Sequence, residues 1–351
     1  MIFDDGPPVL ELTTVADDHV VLHVPAGADE PGSPARALRF YGLQPDRDYT
    51  LEGVEVRTLP RPPGERLATF ATVNDVHFGE TECGVVEGTE VGPILSSAAG
   101  EDPYPETMNR AAVAEILALG PDAVVVKGDL TSRGTDGEFE AFLACYGAAF
   151  GDRLHWVRGN HDVAHGDHFA GKAPFAVQLP GVTLAVFDSA VPGQAGGRVP
   201  AETLTWLDQV AASAGHPVLM FAHHHPWSPE SSARSSTYFG INPDDSERLV
   251  EVVARQAHIV GYFAGHTHRN RVRHFAATGR VPWAEVACVK DFPGTWAEYR
   301  VFEGGVLQVH HRISSPEALA WSERTRVLYA GLYPEYSFGR LEDRCFAIPL
   351  R

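Results

Sequence analysis

The sequence predicts an α/β protein, with strands and helices alternating on a central sheet from Leu67 onward, behind a small β-rich N-terminal unit. Three observations carry that expectation. Apolar residues in the first 59 positions follow strand-like alternation and are broken by turn residues. A stiff Pro-rich stretch, Pro60-Arg61-Pro62-Pro63-Gly64, then interrupts the pattern. Beyond it, short apolar runs alternate with helix-period segments, the succession expected of an α/β core. With 351 residues, 44% of them hydrophobic, the chain can bury one large core and a small accessory unit.

The N-terminal unit, residues 1–59, contains the run His19-Val20-Val21-Leu22-His23-Val24, with turn breakers at Pro25-Ala26-Gly27 and Pro31-Gly32. Its segment Gly42–Leu51 resembles the tyrosine corner of fibronectin type III sandwiches, in which a hydroxyl, here that of Tyr49, pins a strand corner. A full sandwich of that type takes about 100 residues. The unit is therefore either a shortened sandwich or a β-rich flap on the main domain.

After a linker at residues 60–66, Leu67–Asn74 reads as an apolar strand. Glu106–Leu119 reads as a helix, with Pro105 suiting its first turn, Met108, Ala112 and Ile116 on one face, and Gly120-Pro121 as its stop. The strand Asp122–Lys127, the helix Gly137–Phe150, the strands Leu154–Val157 and Val182–Phe187 and the helix Ala201–Ala214 follow. The strand Val218–Phe221, the helix Asp244–Gln256 and the strand Ile259–Phe263 complete the alternation. Strands at Trp283–Cys288, Ala297–Phe302 and Val306–Val309 close a domain spanning residues 67–312. Residues 313–351 form an extension packed on it, with a short helix and aromatic residues.

Charge narrows the partners. Lys and Arg total 28 against 46 Asp and Glu, a net of −18. Non-specific nucleic-acid binding needs basic surface to displace counterions, and an anionic membrane attracts basic segments; neither partner is expected. The cysteines Cys83, Cys145, Cys288 and Cys345 lack paired spacing, which argues against a disulfide framework and a cysteine-ligated zinc site. MIFDDGPPVLEL lacks the basic start and apolar run of a signal peptide, and no stretch reaches the roughly 20 apolar residues that span a bilayer. A cytoplasmic location is the expectation.

The chemistry lies where strands end. Asn74-Asp75-Val76-His77 follows the first core strand, Gly128-Asp129 the second and Gly159-Asn160-His161-Asp162 the third. His223-His224-His225-Pro226 and Gly265-His266-Thr267-His268 follow two later ones. Ligands of open α/β sheets collect at the carboxyl ends of strands, and Asp, Asn and His there are what a buried bimetal site needs. Singly each motif is weak; all five in this order are specific.

That order resembles the signature of the calcineurin-like metallophosphoesterases over about residues 67–270. Within the superfamily the chain is most similar to class III cyclic-nucleotide phosphodiesterases and glycerophosphodiesterases, through Asn160-His161-Asp162, His224-His225-Pro226 and Gly196…Trp206-Leu207. The resemblance implies a four-layer α/β/β/α sandwich. It also implies two metal ions, Mn, Fe or Zn by the ligand types. Asp75, His77, Asp129 and His268 are expected to hold one ion, and Asp129, Asn160, His224 and His266 the second, with Asp129 shared. His224 is preferred over His223 because its spacing to Pro226 matches the family step. The implied reaction is attack of a metal-activated hydroxide on a phosphoester, with Asp129 and His161 as the catalytic pair.

His161 is expected to protonate the leaving group or orient the phosphate, with Asp162 hydrogen-bonded to its other ring nitrogen. Asn160, His161 and Arg133 are the expected substrate contacts; the Arg133 spacing resembles that of protein serine/threonine phosphatases, and a solvated loop arginine is the competing reading. Ser132 stands where purple acid phosphatases carry a tyrosine, and Asp162 where protein phosphatases carry a glutamate. The expected substrate is a small phosphodiester, a 3′,5′-cyclic nucleotide or glycerophosphodiester. The alternatives are a phosphomonoesterase of the same fold, a nuclease or a non-catalytic binding module. The loops 78–105 and 228–243 are expected to shape access. Tyr104, Trp227, Tyr238 and Phe239 either stack a substrate ring or pack. Residues 321–346 are placed to cover the site of this subunit or of a neighbour, which leaves a homo-oligomer open.

Overall fold

The computed structural model describes residues 10–86, 88–165, 171–235 and 237–350. The first nine residues of the expected N-terminal unit, and Arg351, lie outside that set. Two six-stranded sheets form the core. The first runs Phe346–Pro349, Gly305–Arg312, Thr295–Phe302, Arg66–Val73, Ala123–Lys127, Leu154–Val157. The second runs Arg271–Arg273, Trp283–Glu285, Ile259–Ala264, Val218–Phe221, Val182–Val186, Phe175–Leu179. Strands of three to eight residues, most with Val, Ile, Phe and Tyr on both faces, suit burial between layers.

Burial defines those layers. Phe70, Val125 and Tyr299 of the first sheet meet Leu184, Phe221 and Phe263 of the second in one apolar cluster. The Phe70 ring stacks on Tyr299 at 4.6 Å and meets Phe221 edge-on at 5.8 Å. The far face of the first sheet is covered by the helix Tyr104–Leu119 through Met108, Ala112 and Ile116, the face read from its periodicity. The far face of the second is covered by the helices Ala201–Ser213 and Pro243–Arg255 through Leu207 and Leu249. The result is the α/β/β/α arrangement. It brings the carboxyl ends of five parallel strands to one edge.

The N-terminal strands form a three-stranded sheet, Glu11–Val15, His19–Val24 and Arg36–Tyr41, and a hairpin, Asp48–Leu51 and Val54–Arg57. The Tyr49 hydroxyl accepts a hydrogen bond from the Gln44 backbone N–H at 2.8 Å, the corner contact its spacing suggested. Arg300 ties this unit to the first large sheet. Its guanidinium donates to Asp17 and Asp18 on one side and to Glu298 on the other, at 2.6–2.8 Å.

Three strands were not legible. Phe175–Leu179 returns as a hairpin through Pro180-Gly181, Arg271–Arg273 is short and polar, and Phe346–Pro349 is an edge strand ending in proline. The helix expected as Gly137–Phe150 is α-helical over Asp136–Phe142 and widens into a π turn at Leu143–Gly147. The turn lets buried Tyr146 donate to Asn109 Oδ1 at 2.8 Å. Among the described residues no helix is long and apolar enough to cross a membrane.

Candidate metal centre

The five polar clusters meet at one edge of the two sheets. Strand exits this close need small residues: a Cβ on Gly159 would lie 2.4 Å from the Asp129 nitrogen, and one on Gly128 2.6 Å from the His223 ring. The exits also bend sharply. Asp75, His77, Asp129, His266 and His268 all have φ between 47° and 68°, a left-handed conformation uncommon outside glycine. Such strain persists where the surroundings over-determine it, and it clusters at functional sites.

Asp129 is the hub. Its Oδ2 lies 3.5 Å from His77 Nε2 and 3.3 Å from His223 Nε2, two rings carried by separate strand ends. Its Oδ1 accepts the His161 backbone N–H at 2.9 Å. His223 Nε2 is also 3.1 Å from Asn160 Oδ1, and His268 Nε2 is 3.4 Å from Asp75 Oδ1. Two donor atoms bound about 2.1 Å from one ion at 90–110° sit roughly 3.0–3.4 Å apart, so these spacings fit metal ligands. Groups with donor atoms within 4.8 Å of one another include Asp75, His77 and His268; Asp75, Asp129 and His223; His223, His224 and His266; and His77, Asp129 and His161. Among the buried ring nitrogens without hydrogen-bond partners, Nε2 of His77 and Nε2 of His266 point the same way.

Electrostatics supports that donor set. Burial alone raises both aspartates, but His268 beside Asp75 and His223 beside Asp129 outweigh it, and both carboxyls stay below their usual range. Burial likewise lowers His223, yet the Asp129 and Asp75 charges lift it to about 9. His266 is pushed down to about 3 by burial and by the neighbouring His223 and His225, so its ring is neutral. Two buried carboxylates surrounded by imidazoles are a donor set of the kind that holds cations.

Further side chains fix the ligand candidates. Asn74 Nδ2 donates to Asp75 Oδ2 and, at 3.0 Å, to the Val286 carbonyl. Glu80 Oε2 lies 3.2 Å from His77 Nδ1, and Lys290 holds the same carboxylate at 2.6 and 2.7 Å. Asp291 Oδ2 lies 3.9 Å from His268 Nδ1. Carboxylates beyond the far nitrogen of a ligand histidine set its tautomer and raise its basicity. Glu80, Lys290 and Asp291 were missed by sequence reasoning; the only signal was Glu80 standing three residues after His77.

Three expectations meet a different geometry. His223 rather than His224 faces Asp129 and Asn160. His223 Nδ1 lies 2.8 Å from the Lys127 carbonyl, which only accepts, so that nitrogen carries a hydrogen and Nε2 is the atom that faces the site. His224 shares a cluster with His223 and His266, but both its ring nitrogens have protein partners, Ser189 Oγ at 2.8 Å and the Ala195 carbonyl at 3.2 Å. Asp162 does not reach the His161 ring. It accepts from the backbone N–H of Leu130, Thr131 and Gly159 and from the Thr131 hydroxyl, locking two loops together. His161 Nδ1 instead meets the Ser132 carbonyl at 2.9 Å, which leaves Nε2 free. Arg133 is exposed and is not among the residues lining the cavity beside the centre.

That cavity has a volume of about 490 Å³, with His161, His266 and His268 on its floor. Of the four aromatic residues singled out earlier, Phe239 lines it. Tyr104 stacks on Trp321 at 4.2 Å, Trp227 is buried, and the Tyr238 hydroxyl pairs with His225 Nε2 at 2.7 Å.

Comparison with known proteins identifies the family. A family model described as calcineurin-like phosphoesterase matches residues 68–270. A cAMP/cGMP dual specificity phosphodiesterase of Mycobacterium tuberculosis is 29% identical over 161 residues, 43% of this chain and 49% of that protein. A glycerophosphodiester phosphodiesterase of Enterobacter lignolyticus is 29% identical over 161 residues, 42% of this chain and 56% of that protein. The chain thus spans about half the length of these two relatives. The crystal structure of a dimetal phosphatase from Danio rerio superposes with a TM-score of 0.54 at 14% identity, covering 71% of this chain and 98% of that one. That likeness shows the fold.

Proposed function

The chain belongs to the calcineurin-like phosphoesterase family, and from that premise we propose that it is a binuclear-metal phosphodiesterase acting on small phosphodiesters of the 3′,5′-cyclic nucleotide or glycerophosphodiester type. One observation carries this reading: a single carboxylate oxygen of Asp129 stands between His77 and His223, which approach it from two separate strand ends. In this reading Asp75, His77, Asp129 and His268 hold one ion, and Asp129, Asn160, His223 and His266 hold the other. Ions held by these residues would supply the charge that lowers the pKa of a water and stabilises the oxygens of an in-line displacement. Asp75 and Asp129 neutralise only two of the four charges of a divalent pair, so the site keeps a field that attracts an anionic ester despite the acidic chain. His161, free at Nε2 and lining the cavity, is placed to meet the leaving oxygen.

The histidine assignment is testable by itself. His223→Ala is expected to lower bound manganese from two ions per chain toward one, whereas His224→Ala keeps both. Elemental analysis after gel filtration reads the difference, and the reverse pattern returns the ligand role to His224. The reaction class is tested by turnover of bis(p-nitrophenyl) phosphate against p-nitrophenyl phosphate in Mn²⁺. A diesterase gives the larger kcat/KM on the diester; preference for the monoester replaces this reading with a phosphomonoesterase.

A further inference from the structure

The cavity beside the candidate centre takes most of its wall from far along the chain. Tyr329, Leu332, Tyr333 and Tyr336 form one side, Phe239 the other, with Thr267 between the site histidines. Three of these present large apolar surface to solvent: Leu332 is 65% exposed, Phe239 45% and Tyr336 44%. Exposed apolar side chains gathered around a concave site mark a ligand surface.

The wall is held rigidly against the centre. Asn270, two residues beyond His268, donates its backbone N–H to Ser337 at 2.9 Å and its side chain to the Phe338 carbonyl at 3.1 Å. The Tyr333 hydroxyl donates at 2.5 Å to Asp291, the carboxylate beside His268. Tyr329 and Ala330 both have positive φ, 52° and 57°, two adjacent residues in a conformation rare outside glycine. The Arg269 guanidinium lies 5.2 Å from the Tyr336 ring centroid and is itself held by Glu285 at 2.8 Å. Phe239 packs on the His266 ring at 5.2 Å.

An aromatic-walled cavity of this size, with no carboxylate among its lining residues, suits a flat ring with polar atoms at its edge.

We infer that Phe239, Tyr329, Leu332 and Tyr336 form a subsite for a planar ring carried by the phosphodiester substrate. The segment around residues 329–336 is then the specificity element of the site. This rests on the phosphodiesterase reading above. It favours ring-bearing esters over glycerol-type esters, whose alcohol has no apolar face to bury.

Three diesters sharing one leaving group test it on the full chain in Mn²⁺: thymidine 5′-(p-nitrophenyl) phosphate, phenyl p-nitrophenyl phosphate and ethyl p-nitrophenyl phosphate, each normalised to its uncatalysed rate. At least one ring-bearing ester is expected to exceed the ethyl ester in kcat/KM by about ten- to a hundredfold, the range of one ring-stacking contact. A thymidine lead identifies a nucleobase and a phenyl lead a simple aryl ring. Leu332→Ser and Tyr336→Ser are expected to bring that ratio toward one. Val327→Ser, on an exposed residue of the same segment outside the cavity, leaves it as in the parent chain. A ratio near one in the parent chain, with the ethyl ester turned over, overturns the subsite alone, as does a ratio unchanged in both cavity variants. Hydrolysis of none of the three overturns the phosphodiesterase reading and the subsite together.

Discussion

Asp129→Asn is expected to lower kcat/KM on a phosphodiester by a factor on the order of a thousand or more, and to cut bound metal below two ions per chain. The substitution keeps the shape and removes the charge that the centre is built around. A unit charge 4 Å from another is worth about 4 kcal/mol at an effective dielectric of 20, which is about a thousandfold in rate or affinity. Asp129 faces two ion positions in the proposed centre, so the loss at each compounds. The amide also places N–H donors toward His77 and His223, at the oxygen that now lies 3.5 and 3.3 Å from their rings. Steady-state kinetics and elemental analysis on the same preparation check both parts. Unchanged metal content together with normal turnover would remove Asp129 from the hub.

His161→Ala is expected to slow esters with alkoxide leaving groups by about a hundred- to ten-thousandfold, the usual range for positioned general-acid catalysis. Esters of p-nitrophenol need little protonation and are expected to fall far less. The reason lies in the ring's hydrogen bond. The Ser132 carbonyl takes the Nδ1 hydrogen at 2.9 Å, so in the imidazolium form the Nε2 proton is the one left to pass to a departing oxygen. The dependence of rate on leaving-group pKa therefore steepens in the variant. An equal loss on both ester types would instead mark His161 as a residue that orients the phosphate.

How much of this was legible depends on what each feature answers to. Alternating apolar runs report sheet burial directly, so nine of the twelve strands in the two large sheets were read, most of them to within a residue or two. The readings of Trp283–Glu285 and Gly305–Arg312 miss by three at one end. Polar clusters with glycine at strand exits report a convergence point, because only small residues let Gly128 and Gly159 pass so close to Asp129 and His223. The choice between His223 and His224 was not legible. Counting back from Pro226 measures distance along the chain, whereas successive residues leaving a strand point to opposite sides. In the short 3-10 turn His161–Val163, His161 lines the cavity while Asp162 turns to the loop donors behind it. The left-handed conformations of Asp75, His77 and His266 leave no mark in residue type, since none is glycine. The cavity wall of Tyr329, Leu332 and Tyr336 comes from tertiary packing some 60 residues beyond His268. Aromatic composition hinted at a cover there without saying which ring faces the site.

Anomalous diffraction from crystals grown in Mn²⁺ addresses the pair of ions most directly. Two peaks are expected, one on each side of the Asp129 carboxylate, with His77 and His268 beside one and Asn160, His223 and His266 beside the other. A single peak, or two peaks that do not share Asp129, would contradict the account.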